Sequence, residues 1–146
     1  SLHEDYHTLE NVFGNLGLAY QITNDIKNLM GTDGAARQGG DVLSKSPNAV
    51  VILFRDSLVN GSRHEFDEKF MKGSVCKHTD EKWMQELVIN GGKLAADKIS
   101  SLLVEVEKNL NDHEHEIKPV LSPVTDYLHA ACQKINRISS ASNPAS

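Results

Sequence analysis

Hydrophobic positions fall three and four residues apart along most of this chain, the spacing that lines one face of an α-helix. Tyr6, Leu9, Phe13, Leu16 and Tyr20 form the first such stripe and predict a long helix ending near Met30, with this stripe as its buried face. A second buried helix is expected over 48–58, where the run from Ala49 to Phe54 is apolar and Ser46-Pro47 offers a cap and a first-turn proline. A short strand is the alternative for that run, but no turn and partner strand follow it. Phe66, Phe70 and Met71 recur at helical spacing among charged residues, closed by Gly73, which predicts a short amphipathic surface helix. Thr79 then caps a long pattern through Trp83, Leu87, Leu94, Ile99, Leu102, Leu103 and Val106 to Leu110, with Gly91-Gly92 as a kink or a close-packing point. Pro119 and Pro123 delimit a last helix whose apolar side carries Val124, Leu128, Ala131, Cys132 and Ile135. Residues 1–138 therefore form one all-α domain, and the apolar-poor stretch from Ser139 to Ser146 is expected to be a flexible tail.

Composition narrows the classes of function. With 146 residues, 39% of them hydrophobic, there is enough apolar material for one domain with a real core. The formal net charge of -5 and the lack of a basic stripe argue against nucleic acid as the main partner, because binding a phosphate backbone takes clustered Lys and Arg. No apolar run approaches the ~20 residues needed to span a bilayer. Cys76 and Cys132 are expected to be free thiols in a reducing compartment, which makes the cytoplasm the default location.

Candidate chemistry concentrates in 13–45. On the first helix Gly14, Gly17, Gln21, Asn24, Asp25 and Asn28 share a stripe that is small and then polar. Each glycine inside a helix costs about 1 kcal/mol relative to alanine, so the pair implies room beside the backbone for a ligand or another helix. Oxygen donors a turn apart suit Mg²⁺, which takes one or two carboxylates and completes its shell with water and substrate phosphate. The connection after the helix holds Gly31, Gly34, Gly39 and Gly40 with Arg37, Asp41 and Lys45, the makings of a loop that closes over a diphosphate. A helix–helix contact at the glycines followed by an ordinary linker is the plain alternative.

The order of residues here resembles the second aspartate-rich region of the trans-isoprenyl diphosphate synthases (polyprenyl synthetases), roughly L-G-x-A-F-Q-I-x-D-D-x-x-D, a glycine-bearing loop, then G-x-D-L and a lysine. Leu16, Gly17, Ala19, Tyr20, Gln21 and Ile22 match the lead-in, with tyrosine for phenylalanine. Asn24, Asp25 and Asn28 stand at the three aspartate positions, so one carboxylate of three is kept. Gly39, Asp41 and Val42 match G-x-D-L, and Lys45 lies one position nearer to the aspartate than the family lysine. The closing D-Y-L-H-A-A-C-Q-K-I-N-R is similar in style to the family's last helix.

The resemblance implies the C-terminal portion of an isoprenoid synthase (terpenoid synthase) helical bundle. Its first aspartate-rich motif, D-D-x-x-D, would belong to an N-terminal half absent from this sequence, so the chain is expected to be a fragment or subunit, inactive without that half, in a homo- or hetero-oligomer. The implied activity is Mg²⁺-dependent ionisation of an allylic isoprenoid diphosphate and its condensation with isopentenyl diphosphate. Asn24, Asp25, Asn28 and Asp41 are then the metal contacts, Arg37, Lys45 and Gln21 the diphosphate contacts, and Asp25, Gln21 and Lys45 the catalytic set. Asn24 also fits the start of the N-D-x-x-S-x-x-x-E motif of class I terpene synthases, with Asn28 for serine and Thr32 for glutamate. A cyclase on the same fold and a non-catalytic regulatory subunit of a prenyl diphosphate synthase therefore stay open.

Two other patterns carry less. His3, Glu4 and His7 fit H-E-x-x-H, but a catalytic zinc needs a third ligand and a supporting shell, and the plainer reading is a polar helix face. Asp112 to Glu116, D-H-E-H-E, is read as a solvated link.

Overall fold

A computed structural model describes residues 2–30, 48–68, 81–112 and 117–141. Those residues form five helices: α1 (Leu2–Met30), α2 (Ala49–Ser57), α3 (Asn60–Phe66), α4 (Glu81–Asp112) and α5 (Ile117–Ala141). The protein is all-α among the described residues, as its periodicity predicts.

The long helix α4 is the centre and packs against α1, α2 and α5. Cys132 of α5 lies against Ala96 of α4 and Ser139 against Gly92, so these two helices run antiparallel. Tyr20 of α1 meets Tyr127, while Met30 closes on the same Gly92 as Ser139, so α1 runs alongside α5 in the same direction. Leu87, Ala95, Ala96, Ile99, Leu103 and Val106 of α4 fill the space between them.

The buried stripe of α1 is Val12, Leu16, Ala19, Ile22, Ile26 and Leu29. This corrects the expected face: of the stripe that begins at Tyr6, Leu16 is fully in the core, whereas Tyr6, Phe13 and Tyr20 are exposed. Both stripes keep three- and four-residue spacing, but the aliphatic one continues to the end of the helix, next to α4. Buried Thr23 satisfies its hydroxyl within the helix, donating to the Ala19 carbonyl at 2.9 Å.

Asn48, not Ser46, caps α2: its Oδ1 accepts from the backbone N–H groups of Val50 at 2.9 Å and Val51 at 3.2 Å. These are donors that the first turn of a helix leaves unpaired. Phe54 of α2 meets Phe66 of α3 edge-on, centroids 5.5 Å apart. The corner is held by Arg55, which donates from Nε and Nη2 to the two carboxylate oxygens of Asp67 at 2.6 and 2.9 Å. Arg63 adds bonds to the carbonyls of Asp56 and Leu58, where α2 ends.

Gly91-Gly92 proves to be a close-packing point inside an unbroken α4. A methyl on Gly91 would lie 3.0 Å from Val50 Cγ1, and one on Gly92 only 2.3 Å from Ser139 Oγ. α5 starts ahead of Pro119 and runs on through Pro123, with Val124 exposed and Leu121 buried in its stead. It also runs past the expected start of the tail: Ser139 is fully buried within the helix.

Candidate functional site

The candidate residues on α1 meet the rest of the chain at the start of α2. Three backbone N–H groups there need acceptors from outside the helix. Asn48 serves two of them, and the Asp25 carboxylate takes the third, its Oδ2 accepting from Ala49 N–H at 2.8 Å. Asn48 Nδ2 donates back to the Asp25 carbonyl at 3.3 Å. The carboxylate also faces the positive end of the α2 dipole, which favours its ionised form. Asp25 is therefore half-buried and bonded to the chain 24 residues further on.

The other donors lie on the side of α1 away from the core. Gln21 and Asn24 are exposed and Asn28 is half-buried. Gly14 and Gly17 are exposed too, and a Cβ built on either meets nothing within 4 Å. The room that the glycines imply is thus open space, and no described helix packs into it. Arg37, Asp41 and Lys45 lie outside the described residues. The segment that carries them leaves α1 at Met30 and re-enters the described chain at Asn48, against Asp25.

Lys27, one turn from Asn24, is turned onto α5. Its ammonium donates to the Tyr127 hydroxyl and lies 4.8 Å from the centroid of that ring. Tyr20 packs tilted on the same ring, centroids 6.1 Å apart. Neither this group nor the Asp25–Ala49 bond has a signal in local sequence, since the partners are 100 and 24 residues apart.

Among the described residues no group of three or more His, Cys, Asp or Glu side chains is placed to hold a metal ion. His7 is exposed, the side chains of His3 and Glu4 lie outside those described, and so does the link that follows Asp112. Mg²⁺ would have one carboxylate and two amides from α1, hard oxygen donors of the right chemical kind, with one Asp25 oxygen already serving α2. The Cys132 thiol is buried and donates to the Ala96 carbonyl at 3.3 Å. Loss of water around it, then the charge of Asp97, pushes its pKa up, the direction of an inert thiol. Cys76 lies outside the described residues.

Compared with family models, with curated proteins and with solved structures, the chain finds no match in any of the three. No helix among the described residues is long and apolar enough to cross a membrane. What the protein does has to be argued from its own residues.

Proposed function

We propose that this chain is the C-terminal half of an isoprenoid-synthase-type bundle and acts, with a chain carrying the N-terminal half, as a Mg²⁺-dependent prenyltransferase on allylic isoprenoid diphosphates. The observation that carries the reading is the outer face of α1. Gln21 and Asn24 are exposed there beside Gly14 and Gly17, opposite the aliphatic core face, where a second set of helices has room to close a cavity. The order of residues on that face is the one that resembles the prenyl synthase motif.

When bound, Mg²⁺ neutralises the charge that builds on the diphosphate as it departs. Asn24, Asp25 and Asn28 fit its preference for oxygen and are the residues to hold it, in part through water. Gln21 faces the diphosphate or the allylic tail, Arg37 and Lys45 supply cations, and Asp41 orders the loop. The allylic C–O bond breaks with its electron pair leaving on diphosphate. The alkene of isopentenyl diphosphate supplies the pair for the new C–C bond, and a proton then leaves the condensed product. An apolar, water-poor cavity protects the cation between these events.

The test is calorimetric titration of the purified chain, with any chain that co-purifies, using farnesyl thiodiphosphate in the presence and absence of Mg²⁺. The expected result is Mg²⁺-dependent binding that falls at least tenfold in Asp25→Asn. No Mg²⁺-dependent binding by the wild type overturns the reading. Farnesyl diphosphate supplied alone separates the cyclase alternative, because a hydrocarbon product then forms without isopentenyl diphosphate.

The bond from Ala49 N–H to Asp25 favours a second reading, the non-catalytic subunit, in which this carboxylate is a helix cap and nothing more. Asparagine keeps an acceptor for Ala49 but loses the charge a metal needs. Turnover of the assembled complex unchanged by Asp25→Asn supports the subunit reading.

A further inference from the structure

The exposed apolar side chains are not scattered. Tyr6, Phe13 and Tyr20 recur every seven residues, a step after which a helix has turned by only about 20° from its starting direction, so they form one stripe along α1. Val120, Val124 and Tyr127 are spaced by four and three on α5 and form a second. The contact of Tyr20 with Tyr127, and the parallel course of the two helices, set the stripes side by side. Tyr6 is 69%, Phe13 51%, Tyr20 49%, Tyr127 40% and Val120 70% exposed.

We propose that two copies of this chain pair through this α1/α5 face, antiparallel about a two-fold axis near Gly17. At roughly 200 Å² for a whole aromatic residue, the four rings alone expose about 400 Å² per copy, already the size of the largest patch on an ordinary monomer. With the valines and a polar rim, two copies reach the ~1,200 Å² at which specific interfaces begin. The proportions are those of a four-helix layer, α1 and α5 from each copy. Gly17 allows close approach at the centre, since a Cβ there meets nothing within 4 Å.

Charge selects the antiparallel arrangement. Glu10 is exposed near the first end of the face, while Lys134 is exposed and Lys27 half-buried near the other. A two-fold axis across the middle brings the Glu10 of each copy to the lysine end of its partner, whereas a parallel pairing sets Glu10 against Glu10. The face borders the polar stripe of Gln21 and Asn28 on α1 without including it, so the pairing is independent of the activity proposed above.

Sedimentation velocity over a micromolar concentration series tests the pairing, with circular dichroism to confirm that each variant keeps its helices. The wild type is expected as a dimer, and Phe13→Glu, at an exposed position, is expected to weaken it at least tenfold. Glu10→Lys is expected to weaken it too, and Glu10→Lys with Lys134→Glu to restore it. A wild type that stays monomeric overturns the proposal. So does a dimer that Phe13→Glu leaves intact, or a different protein held on this face in stoichiometric amount.

Discussion

A single methyl group measures how closely the helices approach at Gly92. Alanine there places its Cβ 2.3 Å from Ser139 Oγ and 3.0 Å from Met30 Cε, while Ser139 Cβ stays at 3.6 Å, an ordinary contact. The hydroxyl is the obstacle, and it is also a buried group with no hydrogen-bond partner. Gly92→Ala is expected to lose about 1–3 kcal/mol to overpacking, reduced by the ~1 kcal/mol that alanine gains in a helix. Ser139→Ala alone is expected to be neutral or to gain about 1 kcal/mol, because it removes an unsatisfied polar atom. The double variant is expected to recover most of the loss of Gly92→Ala, a coupling that urea denaturation of the four proteins measures directly. Equal losses in the single Gly92 variant and the double variant would place the obstacle elsewhere.

At the scale of elements, the α2–α3 corner depends on ionised groups. The paired bond from Arg55 is the largest influence on Asp67 and lowers its pKa below the ordinary value of 3.8, against a smaller rise from lost hydration. A carboxyl with a lower pKa in the folded state binds its proton more tightly when unfolded, so its contribution is fully present above pH ~4 and fades as pH falls through the folded pKa. Asp67→Asn is therefore expected to be less stable than wild type at pH 7, with the gap narrowing at pH 3, as read by urea denaturation at both pH values. A gap that stays constant with pH would mean that the carboxylate charge adds nothing to the corner. Long periodic patterns made α1, α4 and α5 legible from sequence, because twenty or more residues of repeat leave little room for another structure. The face of α1 was not legible, since Tyr6–Phe13–Tyr20 and Val12–Ile26 have the same spacing and only packing on α4 chooses between them. Pro123 was misleading in a similar way: a proline ends a helix in isolation, but α5 continues through it with Leu121 and Leu128 both anchored in the core.

For the whole molecule, the candidate site was legible as a list of donors on one helix and not as an arrangement. Asp25 stood out in sequence by its place in a motif, whereas its bond to Ala49 is a tertiary contact that no local pattern encodes. That bond ties the site to the fold, because α2 packs on α4 and α4 on both α1 and α5. Cys132 offers a reporter for how cooperatively this assembly opens. Its Sγ lies between α4 and α5, and burial raises its pKa, so the reactive thiolate is doubly scarce while the helices stay together. In a Cys76→Ser background, the thiol is expected to resist a disulfide reagent at pH 8 and to react fully in denaturant. In native buffer its slow labelling is expected to follow global stability, so that Gly92→Ala, if it destabilises as argued, accelerates labelling by about tenfold for each 1.4 kcal/mol lost. Fast labelling that ignores Gly92→Ala would show instead that α5 opens from α4 on its own, with α1 and α2 left in place.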